Sequence, residues 1–187
     1  MVDHGTAMGI AYRIPGEMWP TELGWLYYQL AQSRVHVEVG TFCGRSLWAT
    51  CAGMTQPAQV FAVDADTLQP APVSWVQGVR GLTIQMIHDW TQAKVRLLQE
   101  VYSVDAARQL MEQGLAGQVD SVFIDGDHNA AEVMADCQAW WPLLREGGTL
   151  CGHDYWSADP GVMDAVQRQF SGRHHVATNT RIWWVRK

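Results

Sequence analysis

The chain has 187 residues, 48% hydrophobic and 17% charged, with ten tryptophans and a net charge of -6. This is enough apolar material for one packed core and too much for a disordered chain, and the acidic balance argues against binding nucleic acid or an anionic membrane through a general basic field. Four cysteines, scattered at 43, 51, 137 and 151, make neither a disulfide framework nor a CxxC zinc site. They fit reduced thiols in the cytoplasm, and no apolar run approaches the roughly 20 residues of a membrane-spanning helix.

Residues 1–19 are expected to be an N-terminal segment covering the active site of a single domain. Pro20 then opens a helix carrying Leu23, Leu26, Tyr27 and Leu30 at helical spacing. Val35 to Val39 is β-branched and stops at Gly40, as a buried strand entering a turn does. A short helix is expected from Gly44 to Gly53, and a second strand from Val60 to Val63, stopped by Asp64. Residues 65–92, with Pro70 and Pro72 early, read as a loop followed by an irregular helical connection. Val95 to Leu98 is a weaker third strand, and Val119 to Ile124 a fourth that ends at Asp125. A helical pattern from Ala130 to Leu144 aligns Val133, Cys137, Trp140, Trp141 and Leu144 on one stripe. Glu146-Gly147-Gly148 breaks it, and a fifth strand from Thr149 stops at His153-Asp154. Two apolar runs around Thr178-Asn179-Thr180 close the chain as a hairpin.

Strands alternating with helices at this spacing predict an α/β fold. The expected form is one doubly wound, Rossmann-like domain with a mostly parallel seven-stranded sheet and a C-terminal antiparallel hairpin. Ligands of such sheets bind beyond the carboxyl ends of the strands, so those ends carry the candidates. Gly40 permits a tight turn and Gly44 opens a helix, but Thr41 and Phe42 occupy the place where GxGxxG proteins seat a pyrophosphate. That suits a cofactor without phosphate, with Glu38 able to accept from an ammonium group. By itself, the glycine turn is an ordinary strand-to-helix connection. Asp64 follows the second strand where an acid can hold both ribose hydroxyls. Asp125, Asp127 and His128 crowd one strand end, and His153 and Asp154 the neighbouring one. Charges set so close after apolar strands are costly to desolvate without a use. Hard oxygens with one imidazole suit Mg²⁺ or Mn²⁺ better than zinc.

Glu38-Val39-Gly40-Thr41-Phe42-Cys43-Gly44-Arg45-Ser46 resembles the first cofactor motif of class I S-adenosylmethionine-dependent methyltransferases, especially the catechol-type O-methyltransferases. Ile124-Asp125-Gly126-Asp127-His128 and His153-Asp154-Tyr155 are similar to the sugar O-methyltransferases of macrolide and aminocoumarin biosynthesis. The resemblance extends from about Ile14 to Val185. It implies O-methylation of a sugar or aromatic hydroxyl on a small molecule, with S-adenosylmethionine as cofactor and Mg²⁺ as an assisting metal. By the same resemblance, Glu38, Gly40, Phe42, Gly44 and Ser46 cradle the methionine portion and Asp64 binds the ribose. Ser103 and Val104 border the adenine, and Asp125 lies near the sulfonium. Asp125, His153 and Asp154 are the implied metal ligands, although the group usually has an acid where this chain has His153. His128 or Asp127 is the implied general base.

A nicotinamide or flavin oxidoreductase, a non-catalytic cofactor-binding protein and a related hydroxylase are the competing readings. Trp19, Trp75, Trp90 and Trp156 are expected to rim an aromatic acceptor site, while Trp48, Trp140 and Trp141 are assigned to the core. Trp183 and Trp184 alternate across the terminal hairpin, which leaves one of them open to a partner copy in a homo-oligomer.

Overall fold

The computed structural model describes residues 1–67, 71–158 and 160–187. Its centre is a seven-stranded sheet in the order β3-β2-β1-β4-β5-β7-β6. The strands are β1 Val35–Val39, β2 Ala58–Asp64, β3 Ala93–Gln99, β4 Val119–Ile124, β5 Leu144–Gly152, β6 His175–Val176 and β7 Trp183–Arg186. The first five pair in parallel, and β7 runs antiparallel to both β5 and β6, closing the hairpin expected from the sequence. Parallel neighbours need crossover connections, and helices supply them.

Those helices cover both faces of the sheet. α1 His4–Ala11, α2 Pro20–Gln29, α3 Arg45–Gly53 and α4 Val73–Trp90 cover one face, where Leu23, Leu26, Leu47, Trp48, Val60 and Ala62 form a buried cluster. α5 Ser103–Glu112, α6 Ala130–Trp140 and α7 Pro160–Phe170 cover the other, where Val37, Val39, Phe61, Leu110, Trp140 and Phe170 pack together. Alternation along β2 divides its residues between the layers, with Val60 and Ala62 facing one cluster and Phe61 and Val63 the other. The strand order turns at β1, with β2 on one side and β4 on the other. Their carboxyl ends therefore open a crevice at a topological switch point.

Several elements differ from the sequence expectations, each for a local reason. The 65–92 segment holds a regular 18-residue helix, α4, rather than an irregular connection. Pro72 stands at its N-cap and so does not interrupt it; Pro70 lies outside the described residues. Its buried stripe is Val76, Arg80, Thr83 and Ile87, whereas Trp75, Leu82 and Trp90 face solvent. A stripe that includes arginine and threonine, beside an apolar outer face, hides the helical period from a hydrophobicity reading. The helix from Ala130 ends at Trp140, because Pro142 forces a 3₁₀ turn over Trp141–Leu143. β5 starts at Leu144, and the Glu146-Gly147-Gly148 stretch falls within a register shift between the pairs Val119–Leu144 and Ser121–Thr149. Helices α1, α5 and α7 have no counterpart in the sequence reading, and Ser103 and Val104 open α5.

Candidate functional site

A cleft of about 1130 Å³ lies over the carboxyl ends of β1, β2, β3 and β4. Pockets of roughly 300–1000 Å³ hold one drug-sized molecule, so this volume accommodates a cofactor and a small acceptor together. The lining includes Gly40, Phe42, Asp64, Ser103, Val104, Asp125, Asp127, His128, His153 and Asp154. Residues 15–18 of the N-terminal segment line it as well.

The floor is the turn after β1. Gly40 has a φ of 82°, and a Cβ there would collide with the backbone of Asp125 at the end of β4. The two strand ends are thereby brought together, and the Asp125 amide donates to the Val39 carbonyl. Beneath this turn Glu38 is wholly buried, with Oε1 accepting from the Ser46 hydroxyl at 3.1 Å. Burial first, and then the charge of Asp125, push its carboxyl well above the usual range. Glu38, Gly44 and Ser46 therefore support the loop from below and are absent from the described lining. Ser103 Oγ accepts from the Trp140 indole, and Asp136 on α6 lies beside it. Burial raises the Asp136 pKa to about 6.

Beyond the ends of β4 and β5, Asp154 Oδ2 lies 3.0 Å from His128 Nε2 and 3.1 Å from His153 Nδ1. His153 Nδ1 is also 3.5 Å from Asp125 Oδ1, and its Nε2 is 3.1 Å from Glu22 Oε2. Burial alone would lower the His153 pKa, but hydrogen bonding to Asp125, Asp154 and Glu22 overcomes this and pushes it up to about 12. Burial likewise opposes ionisation of Asp154, yet His128 and His153 hold its carboxyl far below the usual range. Asp127 Oδ1 accepts from the Asn129 amide, forming an Asx turn ahead of α6. Asp125, His128 and Asp154 each offer one ligand atom, all within 4.8 Å of one another, which fits a divalent ion. Of the two histidines, His128 belongs to this trio, while His153 faces the carboxylates of Asp125, Asp154 and Glu22.

Residues 37–155 match the family model described as a methyltransferase domain. The chain belongs to that family. Among solved structures, the O-methyltransferase from Bacillus cereus in complex with SAH is 18% identical with a TM-score of 0.67, over 98% of this chain and 90% of its own. CalS11, a TDP-rhamnose 3'-O-methyltransferase of calicheamicin biosynthesis, is 17% identical with a TM-score of 0.61, over 88% and 77%. The MycE methyltransferase of the mycinamycin pathway, in complex with Mg and SAH, is 17% identical with a TM-score of 0.63, over 99% of this chain and 54% of its own. All three share the fold.

Two features of this methyltransferase escaped the sequence reading. Glu22, 1% exposed, accepts from the backbone amides of Trp19 and Arg181 and faces His153. It thus ties the N-terminal loop, the terminal hairpin and the strand-end histidine into one knot. The Arg181 guanidinium lies 3.7 Å from the Trp156 ring centroid and 4.5 Å from that of Trp19, with Nη1 3.6 Å from Asp154. Trp19 and Trp156 pack against Arg181, Trp75 and Trp90 are exposed on α4, and no tryptophan appears in the described lining of the large cleft. Trp183 is buried in the core and Trp184 stacks on His175. A carboxylate at the third position of a helix opening with proline was the available sign for Glu22. That pattern also reads as a simple capping residue.

Proposed function

We propose that this protein is an O-methyltransferase that moves the methyl group of S-adenosylmethionine to a hydroxyl of a small molecule, a sugar or an aromatic. The observation carrying this reading is the His128–Asp154 pair, set opposite the Gly40 turn in one cleft of a methyltransferase-family chain. The methyl carbon leaves the sulfonium sulfur as the acceptor oxygen attacks from the opposite side. The C–S electron pair returns to sulfur, leaving the neutral thioether S-adenosylhomocysteine, and the hydroxyl proton passes to His128. Asp154, already 3.0 Å away, holds the imidazolium that forms. Alignment of oxygen, carbon and sulfur is the main task of the cleft. Gly40, Phe42 and Asp64 receive the methionine and ribose portions, and Ser103 and Val104 border the adenine. Asp127 holds the loop instead of the proton, because its Oδ1 already accepts the Asn129 amide.

A divalent ion held by Asp125, Asp154 and His128 would lower the pKa of the acceptor hydroxyl. It would also occupy the lone pair that His128 needs as a base, so the two roles separate experimentally. The acceptor is a small molecule rather than nucleic acid. The described lining carries eight carboxylates against one guanidinium, Arg181. Four free, buried cysteines suit a single domain working in the cytoplasm.

The test is transfer of labelled methyl from S-adenosylmethionine to a panel of sugar and catechol acceptors, with and without EDTA. Turnover is expected to persist in EDTA. His128→Ala is expected to lose about 10²–10⁴-fold in turnover while still binding S-adenosylhomocysteine. Near-normal turnover in that variant would remove His128 as the base, and failure to bind S-adenosylhomocysteine by the wild type would remove the whole reading.

A further inference from the structure

The cofactor end of the cleft rests on a buried charge that the proposed chemistry leaves unused. Arg80, in the middle of α4, is fully buried. Its Nε donates to the Phe42 carbonyl at 2.6 Å, its Nη2 donates to Asp66 Oδ1, and the same Nη2 lies 3.5 Å from Asp64 Oδ2. Asp64 completes a ring. Its Oδ2 accepts the Phe42 amide at 2.7 Å and its Oδ1 accepts the Asp66 amide at 2.9 Å. Phe42, a non-glycine residue at a φ of 46°, is thus gripped at its own amide and its own carbonyl. Thr83, three residues along α4 from Arg80, donates to the Cys43 carbonyl at 2.9 Å.

Stability alone does not account for a guanidinium at this position. The buried stripe Val76, Arg80, Thr83 and Ile87 is where an apolar side chain would ordinarily pack, and buried ion pairs commonly add little over a well-packed apolar substitute. Arg80 even leaves Nη1 without a hydrogen-bond partner among the described residues. Its remaining donors converge on the turn and the two acids that line the cleft where the cofactor enters. Burial would raise the Asp66 carboxyl, and hydrogen bonds from Arg80 and Gln77 hold it below the usual range instead.

We propose that Arg80 is a positioning residue for the cofactor, fixing the Phe42 turn and the Asp64 carboxylate in the shape that receives the ribose of S-adenosylmethionine. This rests on the reading of Asp64 as the ribose acid. Arg80 itself lies behind the site and touches no reacting atom.

Arg80→Met alone strands two buried carboxylates and risks unfolding. The decisive variant is therefore the charge-balanced pair Arg80→Met with Asp66→Asn, measured beside Arg80→Lys and Asp64→Asn. Thermal melting reports folding, and calorimetric titration with S-adenosylhomocysteine reports the site. The paired variant is expected to melt near the wild type and bind S-adenosylhomocysteine about tenfold to a hundredfold more weakly. Arg80→Lys is expected to recover part of that loss. Wild-type affinity in the paired variant, with weak binding in Asp64→Asn, overturns the positioning role alone. Wild-type affinity in Asp64→Asn overturns the ribose assignment itself, and with it the route by which Arg80 acts.

Discussion

At the residue scale, the site depends on a few positions where no side chain but the present one fits. Gly40 combines a left-handed φ with a Cβ position already occupied by the Asp125 carbonyl group. Gly40→Ala is therefore expected to cost at least about 3 kcal/mol by urea denaturation and to abolish S-adenosylhomocysteine binding. Gly114 isolates the backbone component, because its φ is 87° and nothing lies within 4 Å of an added Cβ. Gly114→Ala is expected to cost only about 1–2 kcal/mol with binding intact. Equal losses in the two variants would show that dihedral strain, and not the approach of β1 to β4, makes Gly40 necessary. The sequence indicated that Gly40 permits a tight turn. The structure shows that the first backbone to approach is the protein's own.

At the element scale, α2 and α3 meet through Gly53, where an added Cβ would strike the Tyr27 carbonyl. Gly53→Ala must separate the two helices, at an expected cost of about 2 kcal/mol. Because α2 begins with the turn that carries Glu22, the same substitution is expected to reduce methyl transfer. Gly81 on α4 has nothing within 4 Å of its Cβ position and no left-handed φ, so Gly81→Ala is expected to stabilise the protein by about 0.5–1 kcal/mol. Melting curves of the two variants check both signs. The strands and three of the helices, α2, α3 and α6, were legible because period-2 and period-3.6 patterns arise within a few residues. α4 was not, since its inward face spends two of four positions on Arg80 and Thr83 to hold the turn after β1. A helix recruited to build a site loses the apolar stripe by which sequence reading finds helices.

Over the whole molecule, buried polar groups on the α1–α4 face of β1 link stability to pH. His36 is wholly buried, with Nδ1 2.8 Å from the Ser121 hydroxyl. Burial lowers its pKa from 6.5 to about 4. The unfolded chain therefore takes up a proton below pH 6.5 that the folded chain refuses down to about pH 4, and stability falls with pH through that window. His36 alone is expected to account for about 2 kcal/mol lost between pH 7 and pH 5. Denaturant midpoints for wild type and His36→Gln at both pH values check this. An equal pH dependence in the two proteins would assign the loss to other groups. His153 is shifted oppositely, because hydrogen bonds to Asp125, Asp154 and Glu22 outweigh its burial and push its pKa up to about 12.

The strand-end acids Asp64, Asp125 and Asp154 were readable in the chain because each lies at or within two residues of the end of a β-run, and a parallel sheet gathers such ends at one edge. Pairings among distant side chains were not readable. Glu22 and Arg181 are 159 positions apart and meet where the Arg181 amide donates to the Glu22 carboxylate, while Arg80 reaches Phe42 across 38. Whether His153 is a metal donor or a counter-charge depends on that same knot, since the neighbouring carboxylates set its protonation. Periodicity and turn chemistry act between neighbours in sequence, so the α/β architecture and the location of the cleft follow from the chain alone. Charge and hydrogen bonding act between neighbours in space. The partners of each group in the cleft therefore became visible only in the packed structure.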